Sequence, residues 1–218
     1  MPPIRAVLFD FGQVLSGPPD PLARRRMETI LNTTPSDLQT AYWRHRDDYD
    51  LGVLNGTSFW QTVGAELAHP PTGEELTQLL QADVDLWTHP NQPMIDWAAA
   101  LQRARISTGI LSNMGDTMEA GIHTRFPWID RFAHRTFSHR LGIAKPDERI
   151  YRHAIAGVGE PAEATLFIDD RIENIEAART VGLHAIHYTT HDEFLRAFRD
   201  ANFTGLPLPA AVTASTTP

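Results

Sequence analysis

Short apolar runs alternating with helix-patterned segments constrain this chain more than any other feature. Residues 4–10, 107–111, 136–137, 165–168 and 183–187 are apolar, rich in β-branched and aromatic side chains and poor in charge. They read as buried parallel strands. Residues 94–104, 116–126, 148–156, 172–180 and 192–201 read as helices between and after them. Strands alternating with helices at this interval call for right-handed crossovers, and so for an α/β fold with a doubly wound, Rossmann-like parallel sheet. In such sheets ligands collect at the carboxyl ends of the strands. The residue that ends each apolar run is therefore the one to watch.

One long segment breaks the alternation. Gly17-Pro18-Pro19-Asp20-Pro21 interrupts the chain after the first strand, and residues 22–88 carry helical patterning with few strand-like runs. Thr33-Thr34-Pro35-Ser36, Asn55-Gly56-Thr57 and Thr72-Gly73-Glu74-Glu75 are caps for helices beginning at each. The expected organisation is an α/β core over 1–16 and 90–203, with an α-helical cap domain over 17–89 inserted after the first strand. Residues 204–218, rich in Pro, Ala and Thr, read as a loosely held tail.

Composition narrows the partners. The formal net charge of -8 argues against a nucleic-acid backbone, which needs a basic face. Arg24-Arg25-Arg26 is the one dense basic run and reads as a solvated helix face. With no cysteine there is no disulfide, thiolate metal site or cysteine nucleophile. No apolar stretch is long enough to span a bilayer, and the N-terminus does not read as a secretory signal, so a cytoplasmic protein without membrane contact is expected.

The strand ends carry the chemistry. Val7-Leu8-Phe9-Asp10-Phe11-Gly12 ends an apolar strand in a carboxylate, with a glycine turn after it. Ser112-Asn113 offers a hydroxyl, an amide and backbone N–H groups, either as an oxyanion cradle or as an ordinary helix cap. Asp169-Asp170 places two repelling acids side by side, which suits a hard cation such as Mg²⁺ or a solvated cap. Lys145-Pro146 can set an ammonium over the same edge. Taken together, Asp10, Ser112, Lys145 and Asp170 compose a phosphoryl-transfer site with nucleophile, hydroxyl donor, fixed cation and metal-binding acid.

Phe9-Asp10-Phe11-Gly12-Gln13-Val14, Leu111-Ser112-Asn113, Gly142-Ile143-Ala144-Lys145-Pro146-Asp147 and Phe167-Ile168-Asp169-Asp170-Arg171 with Asn174 occur in this order and span nearly the whole chain. In them the chain resembles the haloacid dehalogenase-like hydrolase superfamily, in its helical-cap branch. It is most similar to sugar-phosphate phosphatases with glycine two places after the nucleophile. The resemblance implies a Mg²⁺-dependent phosphatase of a small phosphorylated metabolite, with Asp10 attacking phosphorus to form an aspartyl-phosphate. It places Phe11, Gly12, Ser112, Asn113 and Lys145 around the phosphate. The metal falls to Asp10, the carbonyl of Gly12 and Asp170, with Asp169 and Asn174 as supporting residues.

Most phosphatases of this family carry a second Asp where this chain has Gly12, and that acid moves protons for the leaving group and for water. General acid–base help is worth roughly a hundredfold to ten-thousandfold. A good leaving group or a cap residue could compensate, and within Tyr42–Asp50 the candidates are His45, an imidazole able to carry a proton, and Arg46, able to grip an anion. A phosphate-binding or regulatory module with weak or no catalysis is the alternative that Gly12 favours. A metal-independent 2-haloacid dehalogenase would have little use for Asp169-Asp170.

Overall fold

Strand alternation and a single insertion account for the architecture. The computed structural model describes residues 3–210. Its sheet has five parallel strands, β1 (Ala6–Phe9), β2 (Ser107–Ser112), β3 (His134–Phe137), β4 (Thr165–Asp169) and β5 (His184–His187), in the order β3-β2-β1-β4-β5. Between β1 and β2 come α1 (Pro21–Ile30), α2 (Pro35–Asp50), α3 (Gly56–Glu66), α4 (Gly73–Leu86) and α5 (Gln92–Arg103). Then α6 (Asp116–Arg125) leads to β3, and α7 (Ser138–Leu141) and α8 (Glu148–Val158) lead to β4. Last, α9 (Ile172–Thr180) leads to β5 and α10 (His191–Asp200) follows it. The doubly wound α/β fold expected from the sequence is the fold observed.

Period-two side-chain alternation sorts the core into two layers. Val7 and Phe9 join Trp97, Leu101, Ile122, Phe194 and Phe198 on one face of the sheet. Ala6 and Leu8 join Ile150, Tyr151, Ala154 and Ile175 on the other. Burying each of the larger side chains stabilises the fold by about 1.5–3 kcal/mol. The chain leaves β1 for β2 on one side and β4 lies on the other, so the switch-point crevice opens at the carboxyl end of β1. Phe9 is opposite both Ile110 and Ile168. That register brings Asp10 level with Leu111 and Asp169.

The inserted helices α1–α4 have a core of their own, built from Met27, Leu38, Tyr42, Tyr49, Phe59, Trp60, Val63 and Leu79 among others. Their starts are the ones the sequence marks. Thr34 accepts from Asp37 N–H, and Asn55 with Ser58 and Thr72 with Glu75 form capping boxes. Arg26 of the basic run pairs with Asp85 of α4, as does Arg125 of α6, which ties the inserted block to the sheet layer. The block's two linkers run together: Ser16 and Pro90 form an antiparallel bridge, Gly17 N–H donates to His89 O at 2.6 Å, and Asn91 N–H donates to Leu15 O at 2.9 Å.

The C-terminal turn of α2 is seated on the sheet side. The Tyr49 ring lies where a Cβ on Gly115 would stand, about 2.0 Å from its Cε2. Gly52 sits at φ +73, and a Cβ there would come within 2.6 Å of His139 O. Gly52→Ala combines left-handed strain with a backbone clash, and is expected to destabilise the protein by about 1–3 kcal/mol. Thermal unfolding followed by circular dichroism measures this; an unchanged midpoint would show that the contact is dispensable.

The C-terminal stretch corrects one expectation. Residues 204–210 are held rather than loose: Ile4 N–H donates to Thr204 O at 3.1 Å, Trp97 Nε1 to Pro207 O at 2.9 Å, and His191 Nε2 lies 2.7 Å from Ala210 O. The apolar Leu206, packed against the sheet core, explains the attachment. Residues 211–218 lie outside the described residues. Among those described, no helix is long and apolar enough to cross a membrane.

Candidate active site

β1 ends in Asp10, and the chain then makes a wide turn closed by Ser16 N–H donating to Phe11 O at 2.8 Å. The expected glycine turn differs in one respect. Gly12 has φ -61 and ψ 129, which any residue adopts, and the left-handed position is Gln13 at φ 58. Gln13 is held there because its N–H donates to Ser16 Oγ at 3.1 Å and its side-chain amide donates to Asp170. Among the described residues, its two chain neighbours aside, no atom lies within 4 Å of where a Cβ on Gly12 would be. Its glycine is required by neither conformation nor space.

Around Asp10 the carboxyl ends of β1, β2 and β4 come together with the loop between α7 and α8 that carries Lys145. Lys145 Nζ, with a fully buried side chain, lies 3.0 Å from Asp10 Oδ1 and 2.6 Å from Asp169 Oδ2, and donates to Leu111 O at 3.1 Å. Its loop is clamped by Asn113, whose Oδ1 accepts from Lys145 N–H at 2.9 Å and whose Nδ2 donates to Lys145 O at 3.0 Å. The Asn113 side chain is thus committed to the lysine loop, which leaves its backbone for the crevice. Ser112 is buried beside Asp10. The Phe11 N–H, a candidate phosphate donor in the sequence, is instead bound to Asp10 Oδ1 at 2.7 Å, because the turn folds it back onto its neighbour.

The two adjacent acids differ in surroundings. Asp169 is fully buried, and both its oxygens are taken: Oδ2 by Lys145, Oδ1 by Arg171 N–H at 2.8 Å and Asn174 Nδ2 at 2.9 Å. Asp170 is partly open, with Gln13 on Oδ2 and its own carbonyl held by His187 Nε2 at 2.8 Å. Asp10, Asp169 and Asp170 each offer an oxygen within 4.8 Å of the others. Three carboxylates thus face one ammonium. Burial pushes the Asp10 carboxyl up to about 7; Asp169 and Asp170 add to the rise, and Lys145 opposes it. Burial, then Asp169, also raises Asp170. An excess of negative charge on partly buried oxygens suits a hard divalent cation such as Mg²⁺.

These groups floor a cleft of about 900 Å³ roofed by α2. Its walls combine Trp43, Leu51 and Trp87 with Met114, Met118 and Ile143. Of the two residues suggested on α2, Arg46 lines the cleft, whereas His45 turns away to Glu66 of α3, with Nε2 and Oε2 2.7 Å apart. Adjacent positions on a helix point in different directions, so one could reach the cleft and the other could not. Arg46 is buried among the rings of Tyr42, Trp43, Tyr49 and Trp87, donates to Asp50 Oδ1 at 2.8 Å and donates to the Tyr42 hydroxyl. That hydroxyl donates in turn to Asp83 at 2.8 Å. Asp50 and Gln13 were not foreseen. The i,i+4 spacing of Arg46 and Asp50 was the available signal for the first.

A family model described as haloacid dehalogenase-like hydrolase matches residues 4–182. A sesquiterpene phosphatase of Aspergillus oryzae (strain ATCC 42149 / RIB 40) is 40% identical over 190 residues, covering 85% of this chain and 90% of that protein. Among solved structures, a HAD family enzyme from Bacteroides thetaiotaomicron in complex with magnesium and inorganic phosphate superposes with a TM-score of 0.74 at 19% identity. The match covers 90% of this chain and 100% of that one, and at this identity it speaks for the fold.

Proposed function

This chain belongs to the haloacid dehalogenase-like hydrolases, and we propose that within them it is a Mg²⁺-dependent phosphatase acting through an aspartyl-phosphate on Asp10. The observation that carries the reading is the convergence of Asp10, Lys145, Asp169 and Asp170 at one sheet edge, with the three acids within 4.8 Å. Similarity to a phosphatase over most of both chains supports it.

The residues divide the work. Asp10 Oδ1 is engaged by Phe11 N–H and Lys145 Nζ, so Oδ2 is the oxygen left to attack phosphorus. As the Oδ2–P bond forms, the ester P–O bond breaks and the alcohol departs. Ser112 and the backbone N–H of Asn113 hold phosphoryl oxygens, and Lys145 fixes Asp10 while offsetting charge. Asp10, the Gly12 carbonyl and Asp170 would hold Mg²⁺, which when bound screens the phosphoryl oxygens from the nucleophile. Asp169 and Asn174 orient Lys145 and the turn after β4. The inserted helices serve as the cap that shapes the substrate pocket.

Trp43, Leu51, Trp87, Met114, Met118 and Ile143 form an apolar patch in a cleft otherwise lined mainly by charged and polar side chains. That patch favours a phosphate ester of a small, largely apolar alcohol over a sugar phosphate, and the sesquiterpene phosphatase similarity points the same way. Two measurements test the proposal. Phosphate release from a panel of prenyl-type, aryl and sugar phosphates should require Mg²⁺, vanish with EDTA and be fastest on apolar esters. Mg²⁺ should also raise the melting temperature of the protein, and do so less in Asp170→Asn. Halide release from 2-haloacids without metal, or no phosphate from any ester, would overturn the reading; faster turnover of sugar phosphates would overturn the substrate class.

A further inference from the structure

Displacing an alcohol from phosphorus leaves an alkoxide that needs a proton, and hydrolysing an acyl phosphate needs a water stripped of one. None of the groups already placed at the phosphate is suited to both. Asp10 is the nucleophile, Lys145 is locked between two carboxylates, and Gly12 has no side chain. Four further carboxyls line the cleft, outside the cluster around Asp10: Asp47, Asp50, Asp147 and Glu173. Arg149, through its side chain and its backbone N–H, holds Asp147 down to about 2, and a backbone N–H together with Arg171 lowers Glu173. Asp47 is exposed to solvent. Asp50 alone is largely enclosed.

Its setting disfavours the charged carboxylate through burial, with Arg46 opposing. Asp50 shares the single guanidinium of Arg46 with Asp83, to which Arg46 connects through the Tyr42 hydroxyl. One cation therefore faces two buried carboxyls, a balance restored when one of them is neutral. Asp83 is sealed inside the helical block, whereas Asp50 opens into the cleft. Burial raises both carboxyls above their ordinary range. Asp50 Oδ1 accepts from Arg46, and among the described residues no donor serves Oδ2. The position is also fixed relative to the phosphate side. Asp50 O accepts from Ser138 Oγ at 2.5 Å, and Ser138 Oγ itself accepts from the N–H of Met114 at 3.0 Å, the residue directly after Ser112-Asn113.

We propose that Asp50, carried over the cleft by α2, is the catalytic acid and base of this phosphatase. This rests on the phosphatase reading above. The neutral Asp50 carboxyl gives its proton to the ester oxygen as the P–O bond breaks and Asp10 Oδ2 bonds to phosphorus. The resulting Asp50 carboxylate then takes a proton from water as the water oxygen attacks phosphorus. Asp10 leaves as a carboxylate, inorganic phosphate is released, and Asp50 is again protonated.

The test uses leaving groups. A 4-nitrophenolate needs no proton to depart, whereas a simple alkoxide does. Asp50→Asn should reduce turnover of an alkyl phosphate by about a hundredfold to ten-thousandfold. With 4-nitrophenyl phosphate the same variant should release a burst of nitrophenolate near the wild-type rate, then stall with acid-stable phosphate retained on the protein. Because the space at position 12 is open, Gly12→Asp placed in the Asp50→Asn background should restore turnover of the alkyl ester. Equal losses on both esters with no burst and no restoration would mean a structural role, and would overturn the proposal. Wild-type protein that hydrolyses neither ester would sink the phosphatase reading itself, a result recognisable before any variant is made.

Discussion

Asp10→Asn is expected to abolish phosphate release, with a loss on the order of a millionfold, the scale seen when an enzyme's nucleophile is removed. The amide keeps the shape and the contact with Phe11 N–H but offers no anionic oxygen to phosphorus. Acid-quenched protein should carry phosphate in the wild type and none in the variant. The fold should survive: Asp10 is one of three carboxylates crowded around one ammonium, and removing its charge relieves repulsion with Asp169 and Asp170. A melting temperature equal to or above that of the wild type is therefore expected alongside the lost activity. Turnover persisting in this variant would dismiss Asp10 as the nucleophile.

Lys145→Met should have the opposite effect on stability while also stopping turnover. The Lys145 side chain is fully buried, and its ammonium is the shared partner of Asp10 and Asp169. Burial alone would push that ammonium down, but the two carboxylates more than reverse it, so its value is held above the ordinary lysine range. Methionine fills similar space and leaves the carboxylates facing each other without a cation. Breaking a buried pair in this way costs about 3–5 kcal/mol. For a domain of this size that amounts to a fall in melting temperature of roughly 6–20 °C. A variant as stable as the wild type would mean that the carboxyls simply take up protons. Partial recovery of stability in Lys145→Met combined with Asp10→Asn would trace the penalty to the unbalanced charge.

The fold was largely legible because each strand is short, apolar and bounded by recognisable caps. Thr34, Asn55 and Thr72 mark helix starts that the structure places at those residues. The strand-end residues Asp10, Ser112 and Asp170 could be grouped with the loop residue Lys145 from sequence, because parallel connections put strand ends and the loops after them on one edge. What the sequence concealed depends on which way a side chain faces. His45 and Arg46 are neighbours, yet Arg46 reaches the cleft and His45 pairs with Glu66. Gln13 became informative only when its left-handed backbone aimed its amide at Asp170. The hold on residues 204–210 rests on hydrogen bonds from the Ile4 backbone N–H and the Trp97 indole that no local pattern encodes.

The paired linkers at Ser16 and Pro90 have a mechanical consequence. They join the inserted helices to the sheet along one edge, while Asp50 O on Ser138 Oγ and Asp85 on Arg125 fasten the same helices to the sheet layer away from it. Asp50 and Arg46 belong to the inserted helices, whereas Asp10, Lys145 and Asp169 belong to the sheet and its connections. The phosphate grip and the proposed proton carrier thus come from different parts of the chain. Any opening about the linkers would have to break those two contacts, and would withdraw Asp50 from the phosphate as it did so.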